Sequence, residues 1–519
     1  MKRSHTQDRC INHKQGLGDI SMADTEDSRA FAFALARRLS ERVLINGKLV
    51  GTTLGNRFEL RNPATQELIC SVADADASDV ERAVVSACGA QSSWSKVPAR
   101  ERGKLLIEGS RLLMAHAEEL AALLALESGK ALRTECRPEA YNFADALQFF
   151  GGLASEIKGE TIPLRPGVLS YTQRAALGVV AAILPWNVPL MLMAVKIAPA
   201  LVAGNTVVVK SAEETPLAVL RAIELLNEVF PSGVLNVLSG GGASCGAPLV
   251  AHPNVAKITF TGSVETGKLI YKSAATKLVP VTLELGGKSP MLVLADADVE
   301  KAAVGALAAM RFTRQGQSCT AASRILVHRS LHDVFVEKLK TKVAELVIGD
   351  PFDEATDIGA IISRPQLDKV RGYIEQGRAA AGATAHECGK LPTEGALAKG
   401  FFVRPVIFTG INNQHPVARE EVFGPVTCVM PFDTFEESIA IANDSDFGLA
   451  ASVWTQDFRL ALQAVEALQA GFVQVNQAQV AGLNISYGGF KQSGLGRELT
   501  LESMLEHFTA RKSVILNFD

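Results

Sequence analysis

Between Val179 and Phe260 short β-branched runs alternate with helical ones, and that order leaves few ways to fold. Residues 179–184 read as a strand, 191–201 as a helix, 206–210 as a strand, 216–229 as a helix and 234–238 as a strand. A glycine-rich loop and a short helix then lead into a strand over 257–260. Strands joined by helices pair in parallel, so the fold class is α/β with a doubly wound sheet. A second alternating set runs from 324–328 through 426–430 to 471–475, which places two such α/β units on one chain. A length of 519 residues agrees, being too great for one simple core.

The remaining segments fit around these units. Residues 43–51 read as a hairpin turning at Asn46-Gly47. The stretch 77–148 is helical, whereas Pro163 and Pro166-Gly167 break 157–177 into an exposed ribbon. Residues 1–28 read as a disordered extension whose acids argue against a transit peptide, and helical periodicity (Phe31, Phe33, Leu35, Leu39) makes Met22 a candidate start. The apolar run 181–209 carries Pro185, Pro189 and Pro199 with Asn187, Lys196 and Asn205, so it is strand, helix and strand rather than a membrane span. A net charge of −3 gives no reason for a nucleic-acid or membrane partner. The nine histidines have no metal-ligand spacing. The eight cysteines form no CxxC pair, which fits reduced thiols in a cytoplasmic setting.

Several segments carry chemistry. Cys319 lies among small and polar residues, with Glu284-Leu285-Gly286-Gly287-Lys288 upstream. A thiol nucleophile and a carboxylate base are the minimum for making and hydrolysing a thioester. The two glycines would let backbone or ligand approach closely. Asn187 follows the strand 179–184, where its amide can donate to a developing oxyanion. Gly262, Ser263 and Gly267 stand where a strand meets a helix, a setting for a pyrophosphate. Lys210 and Glu213 stand at a strand's carboxyl end, where a carboxylate can accept from both ribose hydroxyls and repel a 2′-phosphate. Taken singly, Asn187 is more commonly a turn residue, Glu284 a surface acid and Cys319 a core thiol, while the glycines at 262 and 267 fit a structural turn as well as a phosphate site.

Together, and in this order, the segments resemble the aldehyde dehydrogenase superfamily of the hydrolytic, NAD(P)-dependent type. The resemblance rests on Pro185-Trp186-Asn187, 210–216, 260–267, 284–290, Gly316-Gln317-Ser318-Cys319, 421–425 and 488–494, and it spans about 43–519. It implies Cys319 as nucleophile, Asn187 as oxyanion donor and Glu284 as the base for water, with Lys196 near the active site. Lys210 and Glu213 would hold the adenosine ribose, Glu421 the nicotinamide ribose, and Gly262 with Ser263 the phosphates. Trp186, Gly267, Leu285 and Phe423 complete the implied cofactor contacts. The cofactor would be NAD, with NADP less favoured because of Glu213. The implied architecture is a Rossmann-like cofactor domain (29–156 and 178–286), a catalytic domain (287–498) and a bridging, oligomerising ribbon (157–177 and 499–519, with a strand near 513–516). The partner of that ribbon would be a second copy, in a homodimer or homotetramer.

Val188, Met191, Leu192 and Val195 predict an apolar, roomy tunnel, and Gln477 to Ala481 depart from common family patterns. Neutral aliphatic or aromatic aldehydes are the expected substrates. Arg311 and Arg314 keep a carboxylated semialdehyde open, although neither stands at the spacing expected for that role. The alternatives are a CoA-acylating enzyme, a cofactor-free thiol esterase side activity, and a non-catalytic scaffold. Glu284 counts against the first, and Cys319, Glu284 and Asn187 count together against the last.

Overall fold

The computed structural model describes residues 25–478 and 482–519. Its first sheet has a parallel centre in the order Leu235–Leu238, Thr206–Lys210, Val179–Ile183, Val255–Thr261, Val281–Glu284. Thr206–Lys210 shows why: all five of its residues are buried, as a strand covered on both faces requires. The covering helices Pro189–Val202 and Pro216–Leu226 each begin with proline, whose missing N–H is no loss in the first turn. The chain builds outward from Val179–Ile183 to one side and then to the other. A crevice therefore opens at the carboxyl ends of Val179–Ile183 and Val255–Thr261, where the winding reverses.

Two elements complete that sheet. The hairpin of Val43–Ile45 and Lys48–Val50 joins one edge through Leu44 and Val237, with Asn46 and Gly47 both at positive φ. Gly494–Leu495 joins the other edge, antiparallel to Val281–Glu284. It does so from within the stretch assigned above to the second unit.

The second sheet runs in the order Thr384–Glu387, Val406–Thr409, Val426–Phe432, Arg324–His328, Pro290–Val293, Ala450–Trp454, Phe472–Val475. It is parallel except at Thr384–Glu387. The ribbon is three-stranded and antiparallel. Thr509–Asn517 pairs along the whole of Val168–Ala176, which also carries Thr161–Pro163. Its last strand therefore extends beyond 513–516 at both ends. Ile162, Leu164, Ile515 and Leu516 are exposed on it. Of the extension expected over 1–28, residues 1–24 lie outside the described residues. Thr25–Leu39 is helix, so regular structure starts ahead of the boundary expected at 29.

A buried ion pair fixes the turn that follows Val179–Ile183. Lys130 Nζ lies 2.5 Å from Glu139 Oε2 and donates to the Asn187 carbonyl at 2.9 Å. Glu139 Oε1 accepts from the Leu190 N–H at 2.8 Å. Both charged side chains are almost wholly buried, so removing one strands the other. Glu139→Ala is expected to cost about 3–5 kcal/mol of stability in a denaturant titration. A loss below about 1 kcal/mol would show that the pair is dispensable.

Candidate active site

The carboxyl ends of the first sheet and the entries to the second meet at one seam. Trp186 and Asn187 follow Val179–Ile183, Glu213 follows Thr206–Lys210, Gly262 and Ser263 follow Val255–Thr261, and Glu284 ends its own strand. Cys319 arrives from the opposite side, in the loop that enters Arg324–His328. Two glycines let the sides close. A Cβ on Gly287 would lie 2.3 Å from the Cys319 carbonyl oxygen, and one on Gly286 would lie 2.3 Å from Glu421 Oε2. Glu421 Oε1 accepts from the Gly287 N–H at 2.9 Å.

Cys319 lines a cavity of about 470 Å³ together with Asn187, Glu498 and Tyr487. Val188, Met191, Leu192 and Val195 all stand on the same wall. The loop is anchored at two points ahead of the thiol. Arg314 pairs with Glu135 at 2.6 Å, and Asn187 Nδ2 donates to the Gln317 carbonyl at 3.1 Å. Burial pushes the Cys319 thiol up to about 11, and the contact with Tyr487, Sγ to Oη 3.5 Å, works in the opposite direction. Neither Tyr487 nor Glu498 belongs to a motif that stands out in the sequence. Both flank the 488–494 motif, and that proximity was the only available signal.

Glu284 and Lys196 lie behind the cavity wall rather than on it. Lys196 is wholly buried and is taken up by Glu498, 2.7 Å away, which itself reaches the cavity. Glu284 is 3% exposed, and neither carboxylate oxygen has a hydrogen-bond partner among the described residues. Burial first, then the charge of Glu498, hold its carboxyl well above the usual range. Thr261 stands opposite Glu284 in register, and Thr282 stands in the same strand as Glu284. Their hydroxyls, like Lys257 Nζ, are buried and unpartnered too. Water is the natural partner for such a row of polar groups.

The other cofactor candidates spread along the crevice. Lys210 Nζ lies 3.1 Å from Glu213 Oε2; the lysine is buried and the glutamate half-exposed. Ser263 caps Val264–Lys277 by accepting from the Thr266 N–H at 3.2 Å. A helix N-terminus suits phosphate. Gly267 faces Leu285, where a Cβ would come within 2.6 Å of Cδ2, so these two pack on each other. Trp186 meets Phe423 edge to face with centroids 5.2 Å apart. Of the departing loop, 479–481 lie outside the described residues, and Ala478 is buried.

Comparison with known proteins bears on this geometry. The family model described as the aldehyde dehydrogenase family matches residues 50–514. Betaine aldehyde dehydrogenase from Staphylococcus aureus, solved with NAD+, is 37% identical; the match covers 95% of this chain and 98% of that one with a TM-score of 0.91. Aldehyde dehydrogenase from Bacillus cereus, as its NAD+ complex, is 39% identical over 92% of this chain and 97% of that one, TM-score 0.89. PnpE from Pseudomonas sp. WBC-3 is 39% identical over 92% and 98%, again with a TM-score of 0.89.

The Tyr487 contact makes a prediction about the thiol. Tyr487→Phe removes the one hydrogen bond that lowers the Cys319 pKa, so the pH midpoint of alkylation by iodoacetamide should move up. An unchanged or lower midpoint would remove Tyr487 from any part in setting the nucleophile.

Proposed function

The chain belongs to the aldehyde dehydrogenase family, and we propose that it oxidises an aldehyde to the carboxylic acid with NAD through a thioester on Cys319. One observation carries the reading: the cavity thiol shares its seam with a buried carboxylate that no described residue hydrogen-bonds. A carboxylate left unpartnered in a fold is costly, and its use is as a base.

Cys319 Sγ attacks the carbonyl carbon and forms a thiohemiacetal. Asn187 Nδ2 gives one N–H to Gln317, and its second N–H, with the Cys319 N–H, serves the oxyanion. One such donor typically contributes about 3 kcal/mol in the transition state. NAD, when bound, supplies the hydride acceptor. The crevice residues fit it: Glu213 and Lys210 for the adenosine ribose, the helix start at Ser263 for the phosphates, and Glu421 with Phe423 and Trp186 toward the nicotinamide end. Glu284 then takes a proton from water as that water attacks the thioester. A raised pKa suits the task, because a base near the working pH couples availability to strength, worth roughly 10²–10⁴ in rate.

Met191, Leu192, Val195, Leu483 and Leu499 give the cavity an apolar wall, which suits an aliphatic or aromatic substrate body. The ribbon's exposed edge and apolar side chains support a homo-oligomer. The free cysteines fit a reducing, cytoplasmic setting.

Cys319→Ala is expected to abolish NADH formation from every aldehyde that the parent oxidises; residual steady turnover would reject the nucleophile. The kcat of the parent should fall as pH drops through the folded pKa of Glu284, because the base works deprotonated. Its acid limb should lie above the ordinary glutamate value of about 4.3. A limb at that ordinary value would contradict the role given to this buried carboxylate. NAD should also saturate at lower concentration than NADP, and equal saturation would remove Glu213 as the discriminating charge.

A further inference from the structure

The cavity wall carries several charges, and nearly all are accounted for. Arg314 is held by Glu135 through both Nε and Nη2 at 2.6 Å. Glu139 holds Lys130, and Glu498 holds Lys196. Asp145 stands exposed at the mouth. Arg311 is different: its guanidinium makes no hydrogen bond or ion pair with any described residue, although the side chain is half-buried on the cavity wall with Cys319 and Thr320. Its backbone is in the left-handed region, φ 55°, between Val299–Ala309 and the turn Phe312–Arg314. A bulky residue held there is strained, and such strain collects at ligand-binding positions.

The two arginines that looked alike in sequence are therefore unlike in the fold. Arg314 is a strut for the nucleophile loop. Arg311 is a planar donor with free capacity, in a cavity that also carries an apolar wall of Met191, Leu192, Val195, Leu483 and Leu499 and whose buried acids Glu135, Glu139 and Glu498 already hold Arg314, Lys130 and Lys196. Carboxylate is the complement of a free guanidinium, because two parallel N–H bonds can be made to its two oxygens. The aldehyde carbon must reach Cys319, so the carboxylate has to be at the opposite end of the substrate.

We propose that Arg311 is an anion clamp, and that the preferred substrates are aldehydes with a carboxylate remote from the aldehyde and an apolar chain between. This rests on the aldehyde-oxidising reading above and revises the neutral preference expected from the tunnel residues alone. Arg311 acts as a specificity determinant, by holding the far end of the substrate while Cys319 works on the near end.

The test compares an ω-carboxy aldehyde with its methyl ester at saturating NAD, in the parent, Arg311→Met and Arg311→Lys. The parent should favour the acid by at least about tenfold in kcat/KM, Arg311→Met should lose about 10- to 100-fold on the acid, mainly in KM, and the ester should change by less than about threefold. Arg311→Lys should recover part of the loss. A parent that prefers the ester, or an Arg311→Met loss equal on both substrates, overturns the clamp; the second result assigns the charge to Cys319 or to folding. A readout on the parent alone guards against a misfolded variant. A dicarboxylate of matched length should inhibit competitively against the aldehyde and more strongly than its monocarboxylate analogue, and equal inhibition also overturns the proposal. If the ester is oxidised without preference for the acid, only the clamp fails. If neither is oxidised by the parent, the reading of the reaction fails with it.

Discussion

At the seam between the two sheets, two backbones meet directly. Gly287 leaves the first sheet and lies against the carbonyl of Cys319, which enters the second, with no room for a side chain between them. Everything at the seam depends on that contact. It sets the thiol beside the strand end that carries Glu284, and the neighbouring Gly286 admits the Glu421 carboxylate, which bonds the Gly287 N–H. A larger residue at Gly287 would drive the backbones apart, whereas one at Gly286 would displace the Glu421 carboxylate; displacement of about 1 Å between reacting groups can cost some 10²-fold in rate.

Around the seam, burial sorts the charges. Lys130 with Glu139, Arg314 with Glu135 and Lys196 with Glu498 are paired, and each pair ties a loop of the site to a helix or strand behind it. Pairing makes these groups structural. Among the described residues the Glu284 carboxylate and the Arg311 guanidinium make no hydrogen bond or ion pair, and neither does the Lys257 ammonium. A base needs its lone pairs free for water, and an anion clamp needs its donors free for substrate. Desolvation destabilises an idle group, and in the roles proposed above it would prepare Glu284 and Arg311 for work.

Much of this was legible along the chain. The alternation of 179–260 reports a doubly wound sheet because each strand and helix is local, and the Asn46-Gly47 hairpin is local as well. Cys319, Glu284 and Asn187 stand in motifs whose order could be read directly. What was not legible is what folding brings together from afar. Tyr487 reaches Cys319 across 168 positions, and Glu498 reaches Lys196 across 302. Arg311 and Arg314 could not be told apart, since the acid that occupies one of them comes from the turn Leu132–Cys136. Gly494–Leu495 is too short to show a strand pattern, yet it closes the edge of the first sheet beside Glu284.

The central claim is that Cys319 carries the acyl group and Glu284 is needed to release it. The most direct measurement is peptide mass analysis of Glu284→Gln, quenched in acid after mixing with aldehyde and NAD. The account predicts an acyl group, in place of the thiol hydrogen, on the fragment containing Cys319. NADH formed with that fragment unmodified, or with the acyl group on another cysteine, would contradict it.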